Sequence, residues 1–231
     1  MNASAAHGLR PATGCPRRDG GHRHRFWRPR SLLLVVGLLL SSCAHRSASD
    51  PAGGGRGERL NSERIEARFG SYGIELLGGA DSVRVANLYS GSGDRKTCRT
   101  FAVTIFSEPV DARLAAIHRE ILDGGSIGRT LKDAGWTVSK RTIGVGELPA
   151  SDALDTVYAV MKIQPTAVAY RAYDLYATRA SASLRYATIT ELHHPGYLSL
   201  ADLQASLDPP ADDAEGLASA LRRVEEAVEG L

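Results

Sequence analysis

The residues that most resemble a chemical apparatus are Gly124-Gly125-Ser126-Ile127-Gly128, which fit the pattern G-x-S-x-G. At a strand-to-helix turn, that pattern thrusts a serine hydroxyl out of the fold as a nucleophile. Asp155 or Asp174, then His193 or His194, would complete a serine, aspartate, histidine order. The pattern needs a strand directly before it, whereas Leu114, Ile117 and Ile121 recur at helical spacing. The two glycines then read as a helix stop, and Ser126 as the cap of a second helix. No HGGG-like oxyanion segment lies upstream. The same loop could offer backbone N–H groups to an anion, although it lacks the lysine and following Ser/Thr of a phosphate-binding loop.

His193 and His194 raise the question of a metal. Neighbouring side chains on a strand point to opposite faces, so the two could not easily share one ion. There is no H-x-x-x-H or C-x-x-C spacing, and the expectation is two surface histidines with no metal and no cofactor. Cys98 has no second cysteine within the folded part and reads as a small buried strand residue. Tyr170 and Tyr176 fall six residues apart, an even spacing, and could share a strand face. Exposed, they would suit a glycan or protein partner; packed inward, they would be ordinary core.

The N-terminal region carries an address. Residues 32–40 read LLLVVGLLL, preceded by Arg23, Arg25, Arg28 and Arg30. The run is shorter than the roughly 20 residues of a membrane-spanning helix and matches the apolar core of a secretory signal. Arg17-Arg18 is followed by Asp19 and Gly20, which favours general secretion over twin-arginine export. Leu40-Ser41-Ser42-Cys43 resembles the lipobox of bacterial lipoproteins. That resemblance implies removal of residues 1–42 and a diacylglyceryl group on Cys43. Residues 43–62 then form a lipidated, glycine-rich tether, and 63–231 a single domain. Ala44 differs from the aspartate that resembles an inner-membrane retention signal, so an outer-membrane, periplasm-facing position is expected in a Gram-negative cell.

Loss of residues 1–42 also changes the charge. The full chain has 28 Lys+Arg and 26 Asp+Glu, a formal +2. Seven of those arginines and one aspartate precede Cys43, leaving 21 basic and 25 acidic residues, or −4. Net charge therefore gives no argument for nucleic acid as a partner.

Elements follow from periodicity and turn residues. Alternation from Phe69 to Leu76, from Val83 to Tyr89 and from Thr97 to Phe106, separated by glycine-rich turns, predicts a three-strand meander. Helices are expected after Asp111 and after Ser126. Strands follow at 136–143, 157–163, 167–178 and 184–192, and a short helix at 199–206. After Pro209-Pro210, Leu217, Leu221, Val224, Val228 and Leu231 form a helical stripe expected to pack on its own domain. The fold class is α+β: one mainly antiparallel sheet, two or three helices on one face, and a C-terminal amphipathic helix.

With no catalytic constellation in its proper context, the expected function is a lipid-anchored, non-enzymatic binding or accessory domain of the cell envelope. Its partners would be the membrane through Cys43 and an envelope protein or glycan. The alternative is a small serine hydrolase using Ser126.

Overall fold

Six alternating segments build the molecule, and two of them cross its centre. A computed structural model describes residues 59–80, 82–207 and 209–231. The proposed signal peptide, Cys43 and most of the tether lie outside these residues. The strands are β1 (Gly73–Ala80), β2 (Val83–Ser90), β3 (Thr97–Phe106), β4 (Thr137–Leu148), β5 (Val168–Arg179) and β6 (Ala182–His193). They form one sheet in the order β1-β2-β3-β6-β5-β4, every neighbouring pair antiparallel. Two meanders, β1-β2-β3 and β4-β5-β6, thus meet along β3 and β6.

The helices are α1 (Asn61–Phe69), α2 (Ala115–Leu122), α3 (Ile127–Asp133), α4 (Asp155–Met161), α5 (Leu200–Ser206) and α6 (Ala214–Glu229). The α+β class, the antiparallel sheet and the C-terminal helix are as the sequence predicts. On one face, Leu114, Ile121 and Leu131 from the α2–α3 region pack on Phe106, Tyr173, Leu175 and Ile189. On the other, α4 and α6 bury Val157, Met161, Val224 and Val228 against Val85, Phe101, Val103 and Leu192. The C-terminal stripe therefore packs on its own domain, with Asp213 capping α6 by accepting from the Gly216 N–H. No helix among the described residues is long and apolar enough to cross a membrane.

Two elements differ from expectation. Residues 157–163, expected as a strand, lie mostly in α4. Their β-branched content suggested a strand, but Leu154, Val157, Tyr158 and Met161 recur at helical spacing and are all buried. Residues 59–62, expected as tether, enter the fold: Leu60 is buried and α1 begins at Asn61. Phe69 consequently ends α1 instead of opening β1, which starts at Gly73.

The register sets up the site. Arg84, Thr104, Ile189 and Tyr173 lie side by side across β2, β3, β6 and β5. The adjacent row holds Ala86, Ala102, Glu191 and Arg171. Both rows face α1 and α3, so strand alternation that would leave these polar residues in water on an open sheet buries them here.

Candidate functional site: a polar cavity beneath the first helix

Asn61, in the first turn of α1, ties the helix to the sheet. Its Nδ2 donates to Thr100 Oγ1 at 3.0 Å and to Glu191 Oε1 at 3.2 Å. Its Oδ1 accepts from the Tyr197 hydroxyl at 2.8 Å. Tyr173 donates to Glu191 Oε1 at 3.1 Å, and Thr100 pairs with His193 Nδ1 at 3.2 Å. Outside this network, Glu63 bonds Lys132 at 2.7 Å and Glu66 bonds Arg129 at 2.9 Å, holding α1 against α3. Exposed pairs of this kind hold little energy individually. The buried contacts carry the attachment.

Glu191 is only 3 % exposed. Burial pushes its carboxyl upward, but Lys140, Arg64 and Arg171 outweigh that and hold it below its ordinary value. It is an ionised carboxylate inside the fold. His193, with 0 % exposure, is lowered by burial to about 4 and is neutral near pH 7. The expectation of a surface histidine fails for His193, because β6 runs through the middle of the sheet and both its faces are covered. His194 points the other way, half-buried, and accepts from the Gly196 N–H at 2.9 Å. No cluster suited to a metal occurs among the described residues.

Beside this network a cavity of about 60 Å³ lies between the sheet, α1 and α3. Asn61 and Glu191 border it, as do Tyr72, Arg84, Ser126, Lys140 and Tyr173. Its apolar wall includes Ile74, Ala86, Leu88 and Ile127. The volume exceeds the roughly 10–15 Å³ that one water requires, and the lining offers many polar partners. Arg84 is 5 % exposed, and its Nε and Nη2 have no hydrogen-bond partner among the described residues. Burial lowers its guanidinium from the ordinary arginine value. Buried polar groups left unpaired are costly, and Glu191 Oε2, also without a hydrogen-bond partner among the described residues, borders the same cavity.

Ser126 also borders this cavity. The element before it is α2, where the G-x-S-x-G turn requires a strand. Ser126 stands at the N-cap of α3 without a side-chain capping bond. Its hydroxyl instead faces the Tyr72 phenol, which burial pushes up to about 12. The glycines serve the turn: Gly124 has φ +110°, and a Cβ on Gly125 would lie 2.9 Å from the Glu120 carbonyl.

The tyrosines do not form an exposed aromatic pair. Tyr170 is 7 % exposed and belongs to the core beneath α4 and α6; Tyr176 is half-buried. Cys98 is buried in β3 as expected, and burial pushes its thiol up to about 12.

None of the cavity's charged residues stood out in the sequence. Arg84 and Glu191 look like the solvent side of alternating strands, and only the position of those strands under helices reverses that reading. No protein-family model matches the chain, and no curated protein is significantly similar to it.

Proposed function

We propose that this chain is a lipid-anchored protein of the bacterial envelope whose folded domain binds a small molecule in the cavity beneath α1. The observation that carries the binding role is the cavity itself, where Arg84, Lys140 and Glu191 meet an apolar wall of Ile74, Ala86, Leu88 and Ile127. The anchor rests on the run at 32–40 and the lipobox-like residues ending at Cys43. An outer-membrane, periplasm-facing position follows from Ala44 if the cell is Gram-negative. The burial of Tyr170 weighs against a stacking face for a glycan and favours an enclosed ligand over a surface partner.

Native mass spectrometry of the full chain purified from membranes tests both parts. The expected species begins at a diacylglyceryl-modified Cys43 and carries a small molecule that is released on unfolding. An unmodified N-terminus retaining residues 1–42 would overturn the anchor. A ligand-free protein unmoved by any small-molecule panel would overturn the binding role.

A further inference from the structure

Arg129 pairs with Glu66, and Arg141 and Arg185 both pair with Asp174. Arg68 and Arg99 are different: neither has a carboxylate within ion-pair distance among the described residues. Their guanidinium carbons lie over the same Phe69 ring, 5.4 Å and 3.7 Å from its centroid. Arg68 donates through Nη1 to the Tyr197 carbonyl, and Arg99 donates through Nε to Ser90 Oγ at 2.8 Å. Those contacts fix both heads without using them up: Arg68 is exposed, and the remaining nitrogens of Arg99 reach solvent. Burial and the neighbouring Arg68 charge both lower Arg99 from the ordinary arginine value. The His194 backbone N–H donates to the Arg99 carbonyl at 3.0 Å, and His194 Nδ1 accepts from the Gly196 N–H. That second bond leaves the ring proton on Nε2, a third donor within reach of the Arg99 charge. Asp202, which feels the charge of Arg68, is itself tied to the Ser199 N–H and hydroxyl. Two like charges held together with no acid between them repel, and an oxyanion seated across both relieves the repulsion.

The chain itself sets the occupant. Sixteen residues, 43–58, stand between the proposed lipid on Cys43 and the start of the described domain. Fully extended they span at most about 55 Å, and α1 runs only about 13 Å from Asn61 to Phe69. A bilayer holding the anchor is therefore within reach of the patch, and tethering raises its effective concentration enough for a shallow site to be engaged. Resting on the lipid anchor proposed above, we infer that Arg68, Arg99 and His194 form a docking surface for the phosphates of anionic phospholipids in the bilayer that carries the anchor. Docking there turns toward the lipid the end of the sheet where β3 begins and β6 finishes.

The test uses the mature protein purified from membranes and reconstituted into nanodiscs of phosphatidylcholine, alone or mixed with phosphatidylglycerol. Hydrogen exchange at residues 68–71 and 194–198 should slow by about tenfold or more in the anionic discs, since each arginine near such a surface favours binding about fivefold. Molar salt should erase the difference. Arg68→Gln with Arg99→Gln should also erase it, whereas Arg68→Lys with Arg99→Lys keeps the charge and should retain most of it. The lysine pair keeps the test decisive if the glutamine pair fails to fold. Equal exchange in both discs, for a protein whose mass shows the diacylglyceryl group, would overturn the docking alone. A mass without that group would overturn the anchor and the docking with it. Glycerol phosphate added to the neutral discs should protect neither segment; protection equal to that of the anionic discs would overturn the bilayer as occupant and assign the patch to a free phosphate.

Discussion

At the scale of single residues, the buried charges on the α1 face set the chemistry. Glu191 accepts from Asn61 and Tyr173 and sits among Lys140, Arg64 and Arg171. Glu191→Ala would remove the acceptor and the counter-charge together, at a cost of about 3–5 kcal/mol in urea unfolding. Glu191→Gln keeps a carbonyl acceptor for both donors and should cost less. His193 supplies a pH dependence. Its folded value, about 4, lies below the ordinary 6.5, so the unfolded chain takes the proton first as pH falls. The stability it contributes is complete above 6.5 and drains away down to about 4. Between pH 7 and pH 5 that amounts to about 2 kcal/mol. His193→Gln should flatten the melting temperature across this interval, and an unchanged slope would assign the effect elsewhere. Glu191 and Asp174, both held below their ordinary values, add losses at lower pH.

At the scale of elements, α1 and α3 act as one cover over the cavity, and their separation is set by a missing side chain. A Cβ on Gly128 would lie 2.5 Å from Leu60 Cδ2. Gly128→Ala should therefore push α1 outward and destabilise by about 1–3 kcal/mol. Hydrogen exchange would show faster amides in residues 61–69, with β3 and β6 unchanged. Protection of α1 equal to wild type would mean that Leu60 simply shifts aside. Elements were legible where turn residues and period agreed, as in β2, β3, α3 and α6. α4 was misread because Val157, Val160 and Ile163 favour strands locally, while the spacing of Leu154, Val157, Tyr158 and Met161 decides the matter through burial. α1 was hidden by the polar, glycine-rich residues just before it. The cavity could not be read at all, because Arg84, Lys140 and Glu191 stand on three separate strands, β2, β4 and β6, and become a site only after the sheet order brings those strands together.

At the scale of the whole molecule, the two meanders depend on each other. Separated, each would expose a row of unpaired backbone N–H and C=O groups along β3 or β6, and neither half keeps a closed core. Unfolding should therefore be a single transition. Cys98 in β3 reports on it: with Cys15→Ser and Cys43→Ser in place, it is the one thiol left in the chain. Its labelling by a thiol reagent should follow the same urea midpoint as far-UV circular dichroism. Labelling that completes well before loss of the dichroism signal would show that the meanders open separately.

The placement of α1 has a mechanical consequence. The chain that would join the lipid on Cys43 to the domain enters the fold at Arg59 and Leu60, directly ahead of Asn61. Were Cys43 lipidated as proposed, a pull between membrane and domain would be delivered first to the helix that borders the cavity. Helix α1 is held by separate side-chain contacts that can peel in sequence, whereas the central strands are fastened by ladders of backbone hydrogen bonds. Under such tension α1 would yield before the sheet does, so strain on the proposed anchor would open the cavity beneath α1 while leaving the rest of the fold intact.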